Sequence, residues 1–95
     1  MNTEERKAAR ETHKRTANRW RRRYTALDAR IDRLADKVRD IEKRAKDGAW
    51  GAVRLARALR LPMLAAASLS GSQARCDGIA GRHDLHARAL AEPTA

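Results

Sequence analysis

Residues 15–45 read RTANRWRRRYTALDARIDRLADKVRDIEKRA, and this stretch decides the fold. Its apolar side chains recur in alternating steps of three and four: Ala17, Trp20, Tyr24, Leu27, Ile31, Leu34, Val38, Ile41 and Ala45. Such steps keep side chains on one face of an α-helix, and a strict heptad period holds that face against a helical partner in a left-handed coiled coil. Ala17, Tyr24, Ile31, Val38 and Ala45 take the a positions; Trp20, Leu27, Leu34 and Ile41 take d. The unbroken pattern marks 17–47 as a coiled-coil oligomerisation segment.

The helix extends beyond the stripe at both ends. Asn2 is a capping residue with Glu5 at the N3 position, and Glu4 and Glu5 suit the positive end of the helix dipole. No Gly or Pro follows until Gly48, and Arg44 and Lys46 stand in the last turn before it. One long helix over about 3–47 follows.

The seam residues also bear on what the stripe packs against. β-branched Ile31 and Val38 at a, with Leu27 and Leu34 at d, favour two parallel strands. In a parallel pair Arg23 meets Asp28 and Lys37 meets Glu42 across the seam. In an antiparallel pair Arg23, Arg30, Lys37 and Arg44 would confront one another. Ile41 at d, and no Asn at a, leave a trimer open. The expectation is a parallel homodimer joined through Trp20, Tyr24, Leu27, Ile31, Leu34, Val38 and Ile41.

The charge is uneven. The chain of 95 residues has a net charge of +10, with 16 basic and 9 acidic side chains in 1–47 against 6 and 3 in 48–95. Within 6–23 nine basic residues stand against the single acid Glu11. Such a block favours polyanions, either nucleic acid or an anionic membrane surface. Continued toward the N-terminus, the seam register falls on His13, Arg10 and Arg6, which bring like charges together in a parallel pair. Residues 1–16 are therefore expected to splay as basic arms. Lys7, Arg10, Lys14, Arg15, Arg19, Arg21, Arg22 and Arg23 are the candidate phosphate contacts.

In plan, residues 6–45 resemble the basic leucine-zipper family, whose diverging helices straddle the DNA major groove. That family sets an Asn eight residues before an Arg, and the first zipper leucine ten residues after it. With Leu27 as that leucine, the two positions hold Ala9 and Ala17. With Trp20 in its place they hold Asn2 and Arg10, but Glu5 and Arg6 replace two small alanines. The family's base-reading residues do not carry over, so the resemblance implies phosphate contacts without sequence choice.

Residues 48–69 form an Arg/Ala/Leu segment. Gly48 and Gly51 predict a bend, followed by a short second amphipathic helix over about 49–61, with 69 as its furthest end. Pro62 ends or kinks whatever precedes it. Arg54, Arg57 and Arg60 share one arc, opposite Ala52, Leu55, Ala56 and Leu59. Two readings stand. In the plainer one, 52–69 folds back on the zipper as a helical hairpin or packs with its dimer mate. In the other, Trp50, Arg54, Arg57 and Arg60 contact an anionic membrane surface or a protein partner. Residues 70–95 mix Ser, Gly, Asp and Ala without sustained period and are expected to be a flexible tail, with a helical turn at 84–91 at most.

Catalysis finds no footing. There is no nucleophile–base–orienter set, no Gly-rich phosphate loop and no paired carboxylates, so an enzyme is not expected. Cys76, His83 and His86 fall short of the four ligands that structural zinc uses, so neither metal nor cofactor is expected. One cysteine excludes an intrachain disulfide, residues 1–19 do not resemble a signal peptide, and no 18-residue apolar run exists. The expected compartment is the cytoplasm. Two functions follow: a non-enzymatic coiled-coil dimer that grips nucleic-acid phosphates, or a small assembly adaptor of phage or bacterial type working through 49–69.

Overall fold

The structure is a computed structural model, and it describes residues 2–91. Two helices make up the chain, α1 at Thr3–Asp47 and α2 at Ala52–Ala91, with no strand among the described residues. The all-α class and the break at 48–51 are those the sequence predicts. No helix among the described residues is long and apolar enough to cross a membrane.

The start of α1 is the expected cap. The Glu5 amide donates to Asn2 Oδ1 at 2.8 Å, and Asn2 Nδ2 donates to Glu5 Oε1 at 3.2 Å. The Arg6 amide then donates to the Asn2 carbonyl at 3.0 Å, the first bond of the helical ladder. At the other end α1 closes in a Schellman motif. The Trp50 amide donates to the Ala45 carbonyl at 2.9 Å and the Ala49 amide to the Lys46 carbonyl at 3.3 Å. This motif needs one left-handed residue. That residue is Ala49, at φ 51°, rather than a glycine. Gly48, one residue earlier, is required for space: a Cβ there would lie 2.9 Å from Trp50 Nε1 and 3.1 Å from the Arg44 carbonyl oxygen. α2 begins where the Leu55 amide donates to the Gly51 carbonyl at 3.1 Å.

The chain divides into two units. In the unit Ala26–Ser72, the second half of α1 and the first part of α2 form the helical hairpin that was the plainer reading of 52–69. Leu27, Ile31, Leu34, Val38 and Ile41 of α1 are half-buried, as are Leu55, Leu59 and Leu69 of α2. Ala45 and Pro62 are buried. α2 passes through Pro62 without ending and continues beyond residue 69, the furthest end the sequence predicts. The ring lies on the packed side of the helix, where tertiary contact offsets the lost backbone bond.

In the other unit, the α1 segment up to Thr25 pairs with the α2 segment from Gln73. The pairing is antiparallel: Arg6 Nη2 donates to the Leu90 carbonyl at 3.2 Å, His13 meets His83, and Gln73 Nε2 donates to the Tyr24 carbonyl at 3.4 Å. Ala17, Cys76, Ala80 and Ala87 are buried here. Two expectations change. Residues 70–91 are helix rather than flexible tail; residues 92–95 of that expectation lie outside the described residues. Residues 3–16 lie along α2 rather than splaying, because the charged register positions Arg6, Arg10 and His13 face a segment that bonds or stacks with two of them.

The reason is a second heptad stripe, carried by α2. Leu55, Leu59, Pro62, Ala66, Leu69, Gln73, Cys76, Ala80, His83, Ala87 and Leu90 also recur in steps of four and three, and all are buried or half-buried. Beyond Leu69 the stripe is built of small and polar side chains, so it lacks the contrast that marks an amphipathic helix. Its own helix propensity is also weak, with Gly71, Gly78 and Gly81 each costing about 1 kcal/mol relative to Ala. Packing, rather than local preference, makes it helical.

The turn generates a prediction. Replacing Ala49 by Gly removes the left-handed strain on a residue with a Cβ and is expected to stabilise the fold by about 0.5–1 kcal/mol. Gly48→Ala, despite Ala's better helix propensity, is expected to give no gain because of Trp50. Urea unfolding followed by circular dichroism measures both. A Gly48→Ala chain that gained about 1 kcal/mol would show that the Trp50 contact yields.

Candidate nucleic-acid interface and histidine cluster

The stripe of α1 orders the charges around it. With one side of the helix turned to α2, the basic residues of 6–23 divide by their angle from that side. Lys7, Lys14, Arg15, Arg19 and Arg22 are exposed, and none has an ionic partner among the described residues. Arg10 is half-buried, and its buried Nε lacks a hydrogen-bond partner. Arg21 is exposed but pairs with Asp84 of α2. Arg23 places its guanidinium 4.7 Å from the centre of the Trp20 ring. Of the eight candidate phosphate contacts, five are thus free for an external anion and three are engaged or partly enclosed.

α2 adds cations that sequence reading left out. A groove of about 270 Å³ is lined by Arg10, Lys14, Asp84, Ala87, Arg88 and Ala91. In the sequence Arg88 falls in a segment without sustained period, and only the pairing of α2 with α1 brings it beside Arg10 and Lys14.

The expected oligomer contacts are only partly covered. Trp20, Leu27, Ile31, Leu34, Val38 and Ile41 are half-buried, and Tyr24 is 39% exposed. In Ala26–Ser72 an open groove of about 500 Å³ is lined by Leu34, Ala65 and Leu69 together with Arg30, Arg33, Lys37 and Ser68. The expected membrane or partner contacts fall in the same unit. Arg54, Arg57 and Arg60 are exposed, Trp50 is half-buried, and the Arg54 guanidinium lies 4.0 Å from the Trp50 ring centre. Val53, Leu61, Met63 and Leu64 stand exposed in this stretch at 56–75%.

A feature the sequence did not bring together is the meeting of all three histidines of the chain. His13 Nδ1 and His83 Nδ1 are 2.9 Å apart. The His86 ring stands at 80° to both, with centres 5.2 Å from His13 and 6.4 Å from His83. His83 and His86 are one helical turn apart, but only the antiparallel pairing delivers His13 to them. Among the described residues no set of three or more His, Cys, Asp or Glu side chains is arranged to hold a metal ion.

No family model, curated protein or solved structure matches this chain.

Proposed function

We propose that this is a non-enzymatic helical protein that binds nucleic acid through phosphate contacts from the basic face of α1, with little sequence preference. The observation that carries the reading is the set of five exposed, unpaired cations, Lys7, Lys14, Arg15, Arg19 and Arg22, within one helical segment. A polyanion gains from each cation that releases a condensed counterion. Side chains already paired inside the protein, such as Arg21 with Asp84, contribute less. The set holds only lysines and arginines, with no Asn or Gln among them, and such cations neutralise phosphates of any sequence, so affinity with little sequence preference is the expected consequence.

Self-association belongs to the same proposal. Two helices touch along a line and leave the large seam residues half-buried, and a second copy would cover them. In a parallel arrangement of two α1 helices, which requires the α1 seam to exchange α2 for its counterpart in the second copy, Arg23 would meet Asp28 and Lys37 would meet Glu42. The compartment this suits is the cytoplasm, where nucleic acid is at hand.

One observation favours a second reading. Val53, Leu61, Met63 and Leu64 are exposed among Arg54, Arg57 and Arg60, the composition of an element that rests on an anionic membrane or docks a protein partner. Co-sedimentation with anionic liposomes separates the readings. On the nucleic-acid reading, changing Val53, Leu61 and Leu64 to Ser leaves duplex binding intact; on the adaptor reading it abolishes the principal interaction.

The main test changes Lys7, Lys14, Arg15, Arg19 and Arg22 to Gln, which keeps helix propensity nearly constant. Losing five phosphate contacts should flatten the slope of log affinity against log salt by roughly 4–5 units per chain. The loss should be equal on unrelated duplexes. An unchanged slope, with helix content preserved, would mean that these cations only solvate the helix.

A further inference from the structure

We propose that the contact between His13 and His83 is a proton-sensitive clasp, which holds the basic segment of α1 against residues 73–91 and lets it go when both rings are protonated. The inference adds regulation to the proposed phosphate-binding face and rests on that reading only for what release accomplishes.

The clasp follows from the chemistry of one nitrogen. An imidazole Nδ1 either bears a proton and donates or bears a lone pair and accepts. At 2.9 Å the two Nδ1 atoms can bond only if one ring donates and the other accepts, so one of the pair must be neutral. A second proton turns the bond into two donors pointed at each other, with a positive charge on each ring. Both rings are half-buried, so water screens this encounter incompletely.

The surroundings do not absorb the added charge. From α1, Arg6 and Arg10 occupy the neighbouring seam positions, and Lys14 lies beside His13 in sequence. From α2 come His86, Arg88 and Asp84. Of the carboxylates nearby, Asp84 is engaged by Arg21, and Glu11, two residues before His13, leaves the helix about 200° round from it. No carboxylate bonds any of the three rings among the described residues. The open form therefore binds more protons than the closed form, and opening grows as pH falls.

Release has a mechanical path. The α2 segment from Gln73 is held by small side chains, Cys76, Ala80 and Ala87, and contains Gly78 and Gly81, whose Cβ positions would meet nothing. Little apolar area and weak helix propensity place it at the low-stability end of the structure. Losing the clasp would free Arg6 and Arg10 beside the five cations already exposed. That gives the basic segment the unpaired state in which it could wrap a polyanion.

Cys76 is a built-in probe, buried on the same face of α2 two turns before His83. Its rate of reaction with 4,4′-dithiodipyridine would be measured on the full chain with EDTA present, and divided at each pH by the rate in concentrated urea. Between about pH 7.5 and about pH 5.5, where histidine changes charge, this protection is expected to fall roughly tenfold or more. In the His13→Gln/His83→Gln chain, two amides can bond each other at any pH, and protection should be high and flat. His86→Gln should keep the pH response. Equal protection of the natural chain at both pH values would overturn the clasp, as would a response that survives in the double variant. Should the double variant leave Cys76 open throughout, the single variants His13→Gln and His83→Gln decide, each expected to lose the response. Duplex affinity is followed in parallel at fixed salt. Opening without a rise in affinity would leave the clasp intact and remove its role in nucleic-acid binding. Strong salt-dependent binding without opening would leave that function standing and overturn the clasp.

Discussion

A pair of helices touches along a line, and that constraint governs this chain. A line of contact cannot enclose a large side chain, so the buried residues between α1 and α2 are Ala17, Ala45, Cys76, Ala80 and Ala87, with Pro62 beside them. Small side chains let two backbones approach closely, and the larger ones flank the line as half-buried shoulders. The hydrophobic gain per residue is correspondingly modest. What holds each unit together is the length of the contact rather than its depth.

The same constraint explains why polar residues occupy seam positions. At Arg6, Arg10 and His13 the stripe of α1 carries charge or imidazole where a deep core would demand hydrocarbon. A shallow contact tolerates them because water reaches their tips and local partners satisfy them: Arg6 finds the Leu90 carbonyl and His13 finds His83. Arg10, with a buried Nε and no partner, shows the limit of that tolerance. A seam that can hold ionisable groups can also respond to protons, which a closed apolar core cannot do.

Charge on the remaining faces is then left free by geometry. Once one side of α1 is committed to α2, the cations farthest from it outnumber their acidic neighbours, because Glu11 is the single acid between residues 6 and 23 and pairs with none of them among the described residues. Repulsion among Lys7, Lys14, Arg15, Arg19 and Arg22 is a cost the fold carries without internal compensation, and an external anion would relieve it.

Much of the architecture was legible from residue types alone. The heptad stripe, the Asn2–Glu5 cap and the break at Gly48 all rest on local periodicity and backbone chemistry. So does the division of charge between 6–23 and the rest, while the fold-back of 52–69 was one of two readings the residues allowed. What residue types could not reveal was the partner of each face. The stripe of α2 beyond Leu69 is written in Gln, Cys, Ala and His, which carry no hydrophobic contrast, so it looked like a tail. The identity of the left-handed residue, Ala49 rather than a glycine, was equally hidden, since it is set by where the closing hydrogen bonds to Ala45 and Lys46 fall. The histidine cluster and the Arg10–Lys14–Arg88 groove join residues some seventy positions apart, and no local pattern reports such a distance. Sequence determined which segments become helices wherever backbone preference and apolar spacing agree. Tertiary structure decided the rest, because for weakly helical, weakly apolar segments the free energy comes from the surface they pack against.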